Sequence, residues 1–237
     1  MSDVHSPRYL MEYIARLSES KQLCADTQLV LWAGDMVDKG RVNALRPVVQ
    51  ATRRFCPQAH IVAAFGNEEY MDREHSFVEH YPEVEWLNDR YITLEVSGLR
   101  VAVYGSRGVI DKPTTWQQKH IPGIRIIYAK RLQRMRETLD RLRQEGYIVV
   151  LLTHYAPTYA TLEGEDPKIW AYLGSRHAEK VLLETKPRLA VHGHAHHSKR
   201  TRARVGETLV VNVALPANHK LTFIDIREDG SITLSPE

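Results

Sequence analysis

The chain holds only two cysteines, Cys24 and Cys56, and no C-x-x-C pair in its 237 residues. That excludes a thiolate metal cluster and argues against a disulfide framework. With no signal-peptide pattern ahead of the first polar block, the expected setting is a reducing cytoplasm. No apolar run approaches the roughly 18 residues that a membrane span needs. Charge of one sign is scarce as well. Thirty-two Lys and Arg stand against 29 Asp and Glu, a net charge of +3, too little to announce a nucleic-acid surface by itself. Internal repeats, low-complexity tracts and linkers are missing. What is present is an ordinary globular composition, 43% hydrophobic and 26% charged, at a length suited to one α/β domain with a full core.

Apolar patterning sets the elements. Leu29-Val30-Leu31-Trp32 and Ile61-Val62-Ala63-Ala64-Phe65 are short buried strands, each ending at a glycine. Residues 42–55 read as a helix, and Ser6-Pro7 reads as a helix start, with serine at the cap and proline in the first turn. Ser97-Gly98 between two alternating runs (91–96 and 99–104) is a hairpin signal. Residues 127–144 form the strongest helix, followed by a continuous apolar strand over 147–152. Residues 178–183 look helical, 189–191 strand-like, and 208–214 and 220–226 alternate. Alternating β and α early on predicts parallel strands, with antiparallel ones added by hairpins.

Five short blocks carry metal-ligand side chains. They are Asp3-Val4-His5, Gly34-Asp35-Met36-Val37-Asp38, Gly66-Asn67-Glu68-Glu69, Thr153-His154 and Gly193-His194-Ala195-His196. Four of them follow apolar runs. Together they offer two carboxylates (Asp3, Asp35), one amide (Asn67) and four imidazoles (His5, His154, His194, His196), a mixed oxygen and nitrogen set suited to Mn, Fe or Zn. Any one block is common by chance; His154 alone reads as a satisfied core histidine. The ordered set is not.

In this order and spacing the blocks resemble the calcineurin-like metallophosphoesterases over essentially the whole chain. The resemblance implies a four-layer α/β/β/α sandwich of two mixed sheets and two divalent ions (Mn, Fe or Zn). By the same resemblance Asp35 bridges the ions, Asp3, His5 and His196 complete one site, and Asn67, His154 and His194 complete the other. Ions roughly 3.5–4 Å apart can share a hydroxide that attacks phosphorus in line, so no side-chain nucleophile is required. Asp35, Asn67, Glu68 and His154 are the residues expected at the reaction itself. His192 and His197 flank the last block without a metal role, and Asp38 is expected to orient its loop.

The chain departs from the family at Glu68, where many members carry histidine. A carboxylate there repels a dianionic monoester more than a monoanionic diester, which favours a phosphodiester or small nucleotide-like substrate. The bland alternative is that Glu68 points to solvent. Asn212 stands where the family often shows Asn-Pro-Gly-Ser, but the last three residues are lost. Arg107, between Gly105-Ser106 and Gly108, is either a phosphate clamp or part of a plain turn. Segments 112–123 and 155–172 read as long surface loops whose Trp116, Tyr155, Tyr159 and Trp170 are candidates to stack on a base. The helix over 128–142 places Tyr128, Leu132, Met135, Leu139 and Leu142 on one face, with Lys130, Arg131, Arg134, Arg136, Arg141 and Arg143 around it. Acidic residues interrupt that charge, which favours a solvated face over a nucleic-acid surface. A nuclease and a non-catalytic metal-binding scaffold stay as alternatives to the phosphoesterase.

The first block begins oddly. Only Met1-Ser2 precede Asp3, whereas the next blocks have four or five apolar residues in front. Either the first strand is very short, or the true start lies upstream of Met1.

Overall fold

The computed structural model describes residues 1–227 and 229–235. Apolar runs ending in a glycine or a ligand candidate become parallel strands, because a strand buried on both faces has no polar side to show. β1 (Leu29–Ala33) pairs with β2 (His60–Ala64), Leu31 opposite Val62, and β3 (Val84–Leu87) adds to the far side of β2. A six-stranded sheet faces this one. It runs from β4 (Arg90–Val96) through β5 (Leu99–Ser106), β6 (Ile148–Thr153) and β7 (Leu189–His192). β9 (Thr208–Asn212) comes next, and β8 (Arg202–Val205) forms its far edge. β5, β6, β7 and β9 are parallel; β4 and β8 are antiparallel edges. The β4–β5 turn is the expected hairpin, with Ser97 and Gly98 both at positive φ, as a two-residue primed turn requires. β10 (Phe223–Ile226) and β11 (Ile232–Ser235) form an antiparallel pair of their own.

Helices cover both outer faces. On the first sheet lie α1 (Leu10–Glu19), α2 (Lys21–Ala25), α3 (Arg46–Phe55) and α4 (Glu74–His80). Tyr13, Leu17, Val48 and Phe77 from these helices pack against Trp32, Ile61 and Trp86. A second core fills the space between the sheets, with Ala33, Val62, Val103, Val150 and Val191 fully buried. On the outer face of the large sheet lie α6 (Ile124–Gln144) and α8 (Arg176–Thr185); the short α5 (Thr115–His120) precedes α6, α7 (Trp170–Leu173) precedes α8, and α9 (Leu215–Asn218) follows β9. Met135, Leu139 and Leu142 of α6 meet Val181 and Leu182 of α8 over Leu151 and Ala190. Each such side chain contributes roughly 1.5–3 kcal/mol by leaving water. The mixed α/β architecture is the one expected, in the layer order helix, sheet, sheet, helix. One sheet is divided, however, into the parallel three-stranded piece and the separate β10–β11 pair. No helix among the described residues is long and apolar enough to cross a membrane.

Four local expectations are corrected. Ser6 does not cap a helix: its N–H is committed to the Met36 carbonyl at 3.0 Å, and α1 begins only at Leu10. Segment 112–123 is not simply a long surface loop, since Thr114 and Gln117 form a reciprocal capping box that starts α5. Arg131 leaves the basic face of α6 and is buried, donating to Asp89 at 2.9 Å and to the Gly108 carbonyl at 2.9 Å. Cys24 and Cys56 are bonded to each other, Cα atoms 4.6 Å apart, because α2 and the end of α3 lie side by side in the helix layer. The expectation of two unpaired thiols is not met.

Candidate metal centre

The parallel strands of both sheets end at one place, and the chain turns sharply there. Asp3, His5, Asp35 and His194 hold positive φ of 60°, 43°, 52° and 69°. Left-handed backbone costs residues with a side chain on the order of 1–3 kcal/mol each and persists only where the surroundings over-determine it. The surroundings do so here. The loops after β1 and β2 touch through Gly34 and Gly66: a Cβ on Gly66 would lie 2.0 Å from Asp35 Oδ1, and one on Gly34 would lie 2.5 Å from the Gly66 nitrogen. No larger residue fits at either position.

Two clusters result. Asp3, His5 and His196 form one; Asp35, His154 and His194 form the other. In the first, His196 Nε2 is 2.9 Å and His5 Nε2 3.7 Å from Asp3 Oδ1. Asp3 Oδ2 accepts from the Ser2 hydroxyl at 2.5 Å and the His194 N–H at 3.0 Å. In the second, His154 Nε2 lies 3.0 Å from Asn67 Oδ1 and 3.1 Å from His194 Nδ1. Asp35 joins them. Its Oδ1 is held by the Glu68 N–H at 2.7 Å, while Oδ2 stands 3.4 Å from His154 Nε2 and 3.8 Å from His5 Nε2.

The donor set fits cations. Both ring nitrogens of His5 are buried with no hydrogen-bond partner; buried polar atoms are seldom left so unless something else occupies them. His154 Nδ1 donates to the Ala33 carbonyl at 2.9 Å, which fixes the tautomer and leaves Nε2 with its lone pair toward the centre. Burial holds His154 well below the usual imidazole range, with His194 adding to the shift, and brings His194 itself down to about 4. Both rings are therefore neutral near pH 7. Burial, then Glu69 and Asp3, pushes the Asp35 carboxyl well above the usual carboxylate range. Burial also acts on Asp3, but the His196 hydrogen bond, the neighbouring imidazoles and Ser2 outweigh it and hold that carboxyl low. A buried acid that resists ionising beside other acids is relieved by a bound cation.

All seven expected ligands converge. The flanking histidines do not join them: His192 spends both nitrogens on Thr161 and the Gly193 carbonyl, each at 2.8 Å, and His197 is exposed. Asp38 pairs with Arg41 at 2.9 Å and Arg8 at 3.6 Å. Arg107 is buried and tied to Glu74 at 2.6 Å and the Glu69 carbonyl at 3.0 Å, so its guanidinium braces the loop after β2. Glu68 is half-buried, and its carboxylate accepts from the Lys39 N–H at 2.6 Å. Of the four aromatic candidates, Tyr155 is buried against His194, ring centroids 4.9 Å apart, while Tyr159 donates to Asp111 and Trp170 to the Glu165 carbonyl. Trp116 is exposed and stacks on His120.

Two positioning residues stand outside the seven expected ligands. Asn212 donates to the Ala195 carbonyl at 2.8 Å and accepts from the Ala214 N–H, pinning the turn that bears His194 and His196. Glu69, fully buried, accepts the N–H groups of Asp35, Met36 and Gly66 at 2.7–2.8 Å and that of Val37 at 3.2 Å. A glutamate at the end of a G-N-E-E block with no exposed face is the only sequence trace of it.

Two facing sheets thus bring carboxylate, amide and imidazole groups together beyond their strand ends, a donor set able to hold divalent cations. The calcineurin-like phosphoesterase profile matches residues 1–198, and the chain belongs to that family. A search of curated proteins returned no match. Among solved structures the chain is similar to the phosphopantetheinyl hydrolase of Mycobacterium tuberculosis. The TM-score is 0.61 at 15% identity, covering 92% of this chain and 88% of that one. It is likewise similar to a dimetal phosphatase of Danio rerio, with TM-score 0.61, 12% identity, and 90% and 85% covered. The sulfate thiohydrolase SoxB of Thermus thermophilus matches at TM-score 0.57 and 18% identity, over 95% of this chain but 41% of that one. Identities this low establish the shared fold alone.

Proposed function

We propose that this chain is a binuclear-metal phosphohydrolase. Asp3, His5 and His196 would hold one divalent cation and Asn67, His154 and His194 the other, with Asp35 standing between the two clusters. The observation that carries the reading is the position of Asp35 Oδ2, 3.4 Å from one cluster's histidine and 3.8 Å from the other's. The oxygen and nitrogen donors suit Mn, Fe or Zn. When bound, such a pair supplies an activated water and neutralises charge on the phosphoryl oxygens. The protein's part is positional. The Glu68 N–H fixes Asp35, the Ala33 carbonyl fixes His154, and the Asp3 carboxylate fixes the His194 backbone. Displacement would then be in line and would need no covalent intermediate. Elemental analysis after reconstitution is expected to give two ions per chain, with hydrolysis of bis(p-nitrophenyl) phosphate appearing as the second is bound. One ion or none at saturation, with full activity, would overturn the reading.

The substrate class in this proposal is a phosphodiester or a small nucleotide-like ester. Burial dominates at both residues, holding the His5 imidazole below its ordinary range and the Asp35 carboxyl above its own, and the Glu68 charge acts upward on each as a lesser influence, so its carboxylate is felt inside the site. A dianionic monoester meets about twice the repulsion there that a monoanionic diester meets. Bis(p-nitrophenyl) phosphate is expected to be turned over with a higher kcat/KM than p-nitrophenyl phosphate, and Glu68→His is expected to shift the ratio toward the monoester. A tenfold monoester preference in the parent protein would contradict this.

A further inference from the structure

The loops that carry Asp35 and Asn67 continue beyond their ligands and enclose an open depression of about 750 Å³. Residues 39–44 form one wall, directly after the Asp35–Asp38 block. Tyr70, Asp72 and Arg73 form the other, directly after Glu69. Tyr70 sets the distance between the walls. Its ring lies so close to Gly40 that a Cβ there would stand 2.8 Å from Tyr70 Cδ2, and Gly40 also holds a positive φ of 62°. Only glycine meets both demands without strain.

The lining is cationic. Lys39, Arg41 and Arg73 stand in it against a single acid, Asp72. Arg73 and Asp72 are 3.9 Å apart and both largely exposed, a pair that neutralises little. Exposed Lys39 makes no ion pair among the described residues. Arg41 is held in place: the Asp38 carbonyl accepts from its Nε at 3.1 Å and the Asp38 carboxylate from Nη2 at 2.9 Å. That clamp orients the guanidinium and leaves Nη1 uncommitted. An oriented arginine edge beside two weakly engaged cations is a donor set suited to phosphate.

Glu68 separates the depression from the metal centre. Its N–H donates to Asp35 Oδ1 at 2.7 Å, its carbonyl accepts from the Gly40 N–H at 2.8 Å, and its carboxylate accepts from the Lys39 N–H at 2.6 Å. Two hydrogen bonds and the backbone of one residue therefore lie between Asp35 Oδ1 and the Gly40 nitrogen, about 10 Å at full stretch. A single nucleoside spans that. The Glu68 carboxylate disfavours a dianion on the metal side, whereas the three cations favour one beyond it.

We propose that the depression is a second anion subsite, which holds a terminal phosphate of the substrate while a diester reacts at the metal centre. The substrate class is then a nucleotide diester that carries a further phosphomonoester one nucleoside away from the scissile bond. Lys39, Arg41 and Arg73 bind that dianion, and none of them touches the reacting phosphorus. The inference rests on the phosphohydrolase reading for what reacts, and on the depression and its charges for what is held.

The test compares two chromogenic diesters, p-nitrophenyl thymidine 5′-phosphate and its 3′-phosphorylated counterpart, which differ only in the terminal phosphate. With the metal-loaded protein the phosphorylated ester is expected to show a kcat/KM at least about tenfold higher, carried by KM. Lys39→Gln and Arg73→Gln are each expected to cut that ratio roughly threefold, and the double variant to bring it within about twofold of unity. A ratio near one in the parent overturns the proposal. So does a high ratio that the double variant retains, since the terminal phosphate then sits elsewhere. A second arm needs no turnover. In EDTA, the phosphorus NMR signal of thymidine 3′-phosphate is expected to shift or broaden on adding the parent protein, less so in about 0.5 M salt, and not at all with the double variant. Such binding with neither ester hydrolysed supports the subsite and sinks the phosphohydrolase reading. Hydrolysis of both esters at equal kcat/KM, with no binding in EDTA, does the reverse.

Discussion

Asp35→Asn is expected to lower kcat/KM on the order of a thousandfold or more, the scale seen when a site loses the electrostatic group its charge stabilisation depends on. The folded chain is expected to survive. Oδ1 still has the Glu68 N–H to accept, and Oδ2 is the atom whose charge is lost. In the metal-free protein the Asp35 pKa is raised by burial, then by Glu69 and Asp3. A carboxyl whose folded pKa lies above its unfolded one costs stability once the pH exceeds the unfolded value, and that cost grows until the folded pKa is reached. Removing the acid removes the cost. Calorimetry at pH 7 is therefore expected to show metal-free Asp35→Asn at least as stable as the parent, while the melting-temperature rise on adding a divalent metal largely disappears. Retained activity together with a parental metal-induced shift would show that Asp35 does not join the clusters.

Much of the site was legible because its geometry is written locally. A parallel strand buried on both faces must read as an apolar run, and a ligand placed just beyond it must read as a polar residue after glycine. Asp35, Asn67 and His194 do, and His154 follows its strand directly, after Thr153. β3 was not legible, since Val84-Glu85-Trp86-Leu87 is short and Glu85 breaks the run. α5 was hidden by the neighbouring Pro113, Pro122 and Gly123, although its capping residues Thr114 and Gln117 were a local signal for it. Arg131 read as one of several surface cations because its partner Asp89 is 42 positions away. The same limit applied to Cys24 and Cys56, 32 residues apart. Spacing shows which residues can be ligands; it does not show which distant backbone a side chain will brace. Glu69 is the clearest case, because its role exists only once the loops after β1 and β2 have met.

Glu69→Ala is accordingly expected to cost about as much as any substitution outside the ligands. The carboxylate collects four backbone N–H groups, from Asp35, Met36, Val37 and Gly66, and it is fully buried. Burial raises its pKa, against which the Gly66, Asp35 and Val37 N–H groups and the Arg107 charge pull it down. With the side chain gone, several donors lose their only acceptor at roughly 1–3 kcal/mol each. Water admitted to the vacated space recovers part of that, so the net loss is expected at about 3–5 kcal/mol, or roughly 10 °C in melting temperature for a chain of this size. The functional consequence follows from which loops are released. Asp35 and Asn67 stand on the two segments that Glu69 ties together, so metal affinity is expected to fall at both clusters, while kcat at saturating metal recovers much further than it does in Asp35→Asn. Glu69→Gln, which keeps one carbonyl acceptor but turns an N–H₂ toward donors, is expected to lie between. A Glu69→Ala protein within about 1 kcal/mol of the parent and with unchanged metal affinity would mean that other contacts, such as Arg107 on the Glu69 carbonyl and on Glu74, hold the two loops without the carboxylate.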